Sequence, residues 1–134
     1  KEGRFNTPNT FGVYLMGLVF KWILEQGGLT AVEQINRDKA AVLYDFLDGQ
    51  DFYIPHATKD SRSLMNVTFK CQTPELDALF IEGAGKKGMS GLKGHRSIGG
   101  MRASIYNAFP KTGCEALVDY MKAFASEHAK AANV

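Results

Sequence analysis

Cysteine is scarce here. Cys71 and Cys114 are the only two in 134 residues. Two thiols make no disulfide framework, and without a CxxC pair or a Cys/His cluster they give zinc no ligand set. Both are expected to stay reduced, as in a cytoplasmic protein, and no metal site is expected. Net charge is small as well: 16 basic against 14 acidic residues leave +2, too mild to argue for nucleic acid. RNA-type stacking patterns are lacking too. The longest apolar run, 11–20, stops at Lys21, whereas a bilayer span needs about 20 apolar residues, so no membrane partner is expected. The mixed-charge opening at 1–6 is no signal peptide. There is no GxGxxG or P-loop spacing, so a nucleotide fingerprint is absent. Internal repeats and low-complexity linkers are absent too. The first residue is Lys1 rather than methionine, which suits a fragment or a trimmed tag.

What remains is ordinary for a soluble globular chain: 45% hydrophobic and 22% charged residues, in a length that suits one domain with a real core. Residues 1–9 read as an extended lead-in segment, since Pro8 keeps Thr7 out of helical angles; 10–134 read as the domain. Asn9 or Thr10 can cap a helix running to about Gln26, stopped by Gly27-Gly28. That helix is apolar on nearly every face, from Phe11 through Trp22 to Leu24, and must be covered on several sides. A surface outside this chain is expected to cover part of it. Thr30 and Glu33 have capping-box spacing and open a helix to about Asp48. Its stripe is Val32, Ile35, Val42, Leu43 and Phe46, with Asn36 to Lys39 largely off it.

Phe52-Tyr53-Ile54 predicts a short strand ended by Pro55. Residues 63–71 alternate, with Met65, Val67 and Phe69 opposite Asn66 and Thr68. Thr73-Pro74-Glu75 opens a helix burying Leu76, Leu79, Phe80 and Ala84. Lys86 and Lys87 make a solvated end to it. A glycine-rich stretch at 88–100 leads into a second alternating strand, 101–105. Thr112 to Glu115 repeats the capping-box spacing before a last helix that buries Leu117, Tyr120, Met121 and Phe124. The tail after Glu127 is expected to fray. The order is helix, helix, strand, strand, helix, strand, strand, helix. It predicts an α+β fold with helices packed on one face of a small, mostly antiparallel sheet.

The chemistry concentrates in 91–102. Glycines let a ligand approach the backbone, and His95 and Arg96 stand side by side among them. Arg102 sits on a strand whose neighbours Met101 and Ala103 point the other way. An arginine fork binds carboxylate or phosphate through two parallel bonds, so His95, Arg96 and Arg102 are candidates for a substrate with two anionic ends. Taken alone, a His-Arg pair in a glycine loop also suits a solvated turn. Asn6 and Thr7 offer an amide and a hydroxyl just before a helix N-terminus, where anions bind well; turn and cap chemistry would use the same residues. His56, after Pro55, and His128 have no carboxylate or nucleophile at a telling spacing. Trp22 suits packing, and Tyr106 and Asn107 could serve as wall residues.

Two blocks carry a family resemblance. Asn6-Thr7-Pro8 followed by Thr10-Phe11 resembles the NTPPTF signature of phosphoserine aminotransferases. The run from Gly94-His95-Arg96 through Gly99-Gly100-Met101-Arg102 to Ala108 resembles the same family's GHRxxGGxRASIYNA stretch. Met65-Asn66-Val67 and the segment 117–121 fit as well. The resemblance implies the small domain of a fold type I pyridoxal 5'-phosphate enzyme, a homodimer. Such an enzyme carries the amino group of L-glutamate to 3-phosphohydroxypyruvate, giving phosphoserine and 2-oxoglutarate in serine biosynthesis. It implies that His95 and Arg96 hold the distal anion, that Arg102 clamps the α-carboxylate, and that Asn6 and Thr7 reach the cofactor phosphate of the other subunit. The family's Schiff-base lysine matches nothing here. No catalytic residue is therefore assigned, and this piece alone is expected to be inactive and not to retain the cofactor. Asn9 departs from the second proline of NTPPTF, Leu64 from a usual basic residue, and Thr68 from a common proline. The alternatives are another aminotransferase of this class, such as an alanine– or serine–glyoxylate enzyme, and a stand-alone anion-binding module. A small neutral substrate would not need the distal anion pair.

Overall fold

The computed structural model describes residues 6–129. The chain divides into two compact units, Lys1–Ile35 and Asn36–Val134. In the first, α1 (Thr10–Glu25) begins where the Asn9 side chain accepts the Gly12 N–H at 2.9 Å, satisfying one of the donors a helix start leaves open. Gly27 and Gly28 follow at φ 97° and 83°, conformations that a side chain resists. α1 buries none of its residues; Phe11 is 69% and Leu24 72% exposed. α2 (Gly28–Asp48) starts two residues before the point that the Thr30–Glu33 spacing predicts. The left-handed Gly28 makes the break itself, so Thr30 falls inside the first turn. The lead-in residues 1–5 and the tail 130–134 lie outside the described residues.

The second unit is built on a three-stranded antiparallel sheet in the order β1 (Ile54–Pro55), β2 (Asn66–Lys70), β3 (Met101–Ser104). β1 is shorter than predicted for a local reason. The Gln50 side-chain amide accepts the Tyr53 N–H at 2.7 Å and donates to the Tyr53 carbonyl at 3.0 Å, so the Tyr53 N–H is not left for a ladder. Between α3 (Pro74–Lys86) and α4 (Lys111–His128) the sequence predicts two strands. The described residues hold one, β3, and a single bridge from Lys93 to Met101; the rest of 88–100 is loop.

Alternation sets the two faces of the sheet. Val67, Phe69, Met101 and Ala103 are buried together with residues of α2, α3 and α4, which gives the expected arrangement of helices on one face. At the centre is an aromatic cluster. Phe80 lies 4.8 to 5.9 Å, centroid to centroid, from Tyr120, Phe124, Tyr53 and Phe69, within the range of favourable ring contacts. The Tyr53 hydroxyl donates to the Met121 carbonyl and the Tyr120 hydroxyl to the Phe80 carbonyl, both at 2.9 Å. Gly83 permits the second bond, since a Cβ there would stand 2.5 Å from the Tyr120 oxygen.

Several side chains depart from their predicted places. Leu79 is 49% exposed, because α3 packs along Leu76, Phe80 and Ala84, an i, i+4 row that leaves Leu79 about 100° to one side. On α2 the buried residues are Val32, Asn36, Lys39, Ala40, Leu43 and Leu47, while Val42 and Phe46 are partly buried and Ile35 is exposed. Asn36 and Lys39, expected off the stripe, are thus on it. The Lys39 ammonium, fully buried, donates to the carbonyls of Ile105, Tyr106 and Asn107 at 3.2, 2.7 and 3.2 Å. Asn36 Nδ2 donates to Asn107 Oδ1 at 2.8 Å. These contacts fix the chain leaving β3. α4 starts at Lys111 behind Pro110, which occupies the cap position with no side-chain bond, so Thr112 is inside the helix rather than its cap.

Both cysteines are buried and free. Burial, reinforced by the Asp77 carboxylate beside it, pushes the Cys71 thiol from its ordinary 9.0 up to about 12. The unfolded thiol releases its proton first. The stability this group contributes is therefore complete below about pH 9 and is lost as pH rises toward 12, at up to about 1.4 kcal/mol per pH unit. Urea unfolding at pH 8 and pH 10 is expected to show a smaller alkaline loss in Cys71→Ala than in the parent chain; equal losses would contradict it.

Candidate functional site

Strand parity decides which side chains the sheet's second face presents. With the odd-numbered residues of β2 and β3 buried, Asn66, Thr68, Lys70, Arg102 and Ser104 share the uncovered face. Register pairs Thr68 with Arg102 and Asn66 with Ser104, whose hydroxyl donates to Asn66 Oδ1 at 3.1 Å. On the other side of β2 the His56 N–H donates to the Thr68 carbonyl at 3.0 Å. That continues the β1 register by one residue and sets His56 opposite Thr68.

The glycine loop folds over one end of this face. Gly94 N–H donates to the Gly100 carbonyl at 2.8 Å, and Arg102 N–H to the Leu92 carbonyl at 2.7 Å. Inside that closure the N–H groups of Ile98 and Gly99 both reach the His95 carbonyl, at 2.9 and 2.8 Å. Glycine is required at both ends. A Cβ on Gly94 would collide with the Gly99 carbonyl oxygen, and one on Gly100, at φ 64°, would come within 2.7 Å of the Phe69 carbonyl. Ser97 fixes the His95 ring. Its N–H reaches Nδ1 at 3.3 Å and its hydroxyl lies 2.7 Å from the same nitrogen. Nδ1 therefore accepts, and in the neutral ring the proton sits on Nε2, a donor left free for a ligand.

A cavity of about 210 Å³ lies between loop and sheet, lined by His56, Thr68, Lys70, His95 and Arg102 with the loop glycines. None of the residues lining it is acidic. The structure thus brings His95 and Arg102 to one cavity. Arg96 lines a neighbouring one of about 730 Å³, which shares His95 and Lys70 but also holds Asp77 and Glu82. Asp77 is engaged in accepting the Cys71 N–H at 2.7 Å. Tyr106 and Asn107 are not among the residues lining either cavity; their carbonyls serve Lys39 instead. Sequence reasoning set His56 aside and passed over Lys70. Strand register is what brings both to the cavity, and spacing along the chain does not carry that information. The loop bearing His56 is tied down beyond it. Arg62 donates to both Asp48 carboxylate oxygens at 2.9 and 2.6 Å and lies 4.5 Å over the Tyr44 ring. That fork, with Lys59 beside it, holds the Asp48 carboxyl well below the usual carboxylate range.

In the first unit, Asn6 and Thr7 are exposed just ahead of α1. The first turn of that helix carries no acidic residue, so its positive end is not neutralised from within. An amide, a hydroxyl and such a helix start are the donors that a phosphate group takes. Among the described residues no cluster of three potential metal ligands occurs, and no helix is long and apolar enough to cross a membrane.

The chain belongs to the aminotransferase class-V family, whose model matches residues 1–117. It is 53% identical over 127 residues to a phosphoserine aminotransferase of Shouchella clausii, covering 94% of this chain and 35% of that protein. The solved phosphoserine aminotransferase of Bacillus circulans subsp. alkalophilus superimposes with TM-score 0.87 at 49% identity over 92% of this chain and 35% of that one. A phosphoserine aminotransferase from Trichomonas vaginalis, solved with pyridoxal phosphate bound, does so with TM-score 0.80 at 38% identity over 89% and 34%. The chain spans about a third of the length of the relatives it matches. The small domain of a fold type I pyridoxal-phosphate enzyme, expected from the resemblance, is thus its fold.

Proposed function

We propose that this chain is the C-terminal part of a pyridoxal-phosphate-dependent phosphoserine transaminase. The whole enzyme would pass the amino group of L-glutamate to 3-phosphohydroxypyruvate, yielding phosphoserine and 2-oxoglutarate in serine biosynthesis, as a cytoplasmic homodimer. Residues 1–9 would be the interdomain lead-in and 10–134 the small domain. The observation that carries this reading is the acid-free cavity where Arg102 and His95 meet, in a chain 53% identical to a named phosphoserine aminotransferase.

The roles are those the family resemblance implies, and geometry and charge are compatible with them. Arg102 stands on a strand whose flanking residues are buried, so its guanidinium has a rigid base from which to take the substrate α-carboxylate in a two-bond clamp. That clamp fixes the orientation of the amino-bearing carbon, which is where positioning contributes most to rate. His95, with Nε2 free, and Arg96, on the same turn, take the distal anion: the phosphate of one substrate or the side-chain carboxylate of the other. Asn6 and Thr7 would hold the cofactor phosphate of the partner subunit. When bound, the cofactor supplies the electron sink that amino transfer needs. Two anion positions at opposite ends of one substrate favour this reaction over a small neutral acceptor.

No lysine in this chain lies in the family's cofactor-bonding motif; the buried one, Lys39, is engaged by backbone carbonyls. The 134-residue chain, given pyridoxal phosphate and glutamate in a single-turnover assay, is expected to form no 2-oxoglutarate. The complete enzyme should convert 3-phosphohydroxypyruvate with glutamate as donor. Turnover by the isolated chain, or a complete enzyme indifferent to the phosphate group of its acceptor, would overturn the assignment.

A further inference from the structure

We propose that His56 is a further substrate-contacting residue, gripping the same carboxylate as Arg102 from the far side of the cavity and setting how tightly this enzyme holds its acidic substrates. The inference rests on the reading of Arg102 as the carboxylate clamp and adds a second wall to it.

Three facts converge. The first is register: the sheet pairing places His56, Thr68 and Arg102 in one row across β1, β2 and β3. Directly opposed residues of antiparallel strands point to the same side, with Cβ atoms about 4.5–5.5 Å apart. The two outer members of the row therefore stand roughly 10 Å apart with Thr68 between them. A carboxylate seated above Thr68 is within reach of a long guanidinium from one side and an imidazole from the other. The second is the floor. Thr68 is small enough to leave that space open and offers a hydroxyl rather than an apolar cap. The third is charge. His56, Lys70, His95 and Arg102 line the cavity from two strands, a loop and the end of β1, and none of the residues lining it is acidic. An anion there meets basic and hydrogen-bonding side chains beside Phe69, Ile98 and Met101, and no competing carboxylate.

His56 also has the support a binding residue needs. Its own N–H is committed to the Thr68 carbonyl, which fixes its backbone, and the loop that follows is pinned at Arg62 to Asp48. The imidazole itself is exposed and is no part of the core. Its replacement should leave the fold untouched.

The experiment is steady-state kinetics in the complete holoenzyme with His56→Ala, His56→Asn and Arg102→Ala, together with a thermal melt of each. His56→Ala is expected to raise KM for glutamate and for 3-phosphohydroxypyruvate about tenfold, the worth of one exposed bond to a charged group. Its kcat should change about twofold or less, with an unchanged melting temperature. His56→Asn, which keeps a donor, should recover most of the loss. If His56→Ala leaves both KM values alone while Arg102→Ala is crippled, the carboxylate clamp stands and this inference falls. If neither substitution alters KM, the clamp itself is wrong and the inference goes with it.

Discussion

Arg102→Lys in the complete enzyme is expected to lose about a hundredfold or more in kcat/KM, and Arg102→Ala more still, with little change in stability. The charge survives in the first variant, so the size of its loss measures geometry alone. Lysine presents a single compact ammonium where arginine presents two parallel donors, and the exchange at a two-bond site is not conservative. A carboxylate held by one bond can rotate about it, and freedom at the reacting carbon is what an aminotransferase must remove. Folding should be spared because Arg102 faces away from the core. Its backbone N–H, bonded to the Leu92 carbonyl, is kept by any side chain, and the packing of β3 rests on Met101 and Ala103. Kinetics with both substrates and a urea melt would check this. A lysine variant within about threefold of the parent would show that Arg102 does not make a paired contact.

The second large effect is on stability. Lys39→Met should destabilise the chain by about 2–4 kcal/mol. It nearly conserves volume but strands three consecutive carbonyls, and an unpaired buried polar group costs about 1–3 kcal/mol. The three losses do not simply add, because the loop after β3 can relax toward water. Burial lowers the affinity of the Lys39 amine for its proton, so the ammonium itself carries a desolvation cost that part of its bonding must offset. The measurement is urea unfolding of the variant beside the parent chain. A loss under about 0.5 kcal/mol, the size of an ordinary surface substitution, would mean that the carbonyls of Ile105, Tyr106 and Asn107 find other donors.

Lys39 also shows where reading the sequence stops. Hydrophobic periodicity finds Val32 and Leu43 on α2 and misplaces the exposed Ile35, and it treats a lysine as solvent-facing by default. What puts Lys39 inside is a contact with residues 66 to 68 positions away in the chain. Periodicity worked where one physical rule dominated. The alternation at Val67 and Phe69, and again at Met101 and Ala103, named the buried sheet face. The i, i+3, i+4 spacing of Leu117, Tyr120, Met121 and Phe124 named the inner face of α4. It failed where two local devices competed. Thr30 and Thr112 have capping-box spacing, yet a left-handed Gly28 and the fixed ring of Pro110 start those helices first. Phe52 and Tyr53 have strand composition, yet Gln50 takes the Tyr53 N–H. The outward direction of Arg102 was legible from the same alternation, with Met101 and Ala103 buried on either side of it. The place of His56 was not, since strand pairing between β1 and β2 brings it to the cavity.

The sheet described above keeps two ledgers by parity. Odd numbers in β2 and β3 hold the molecule together, and even numbers meet the outside. A gene library confined to 68 and 70, with 56 added from the neighbouring strand and Arg102 kept, would thus sample new acidic substrates while leaving the melting behaviour near that of the starting chain. Selection could retune such a surface one position at a time without first having to rescue the fold.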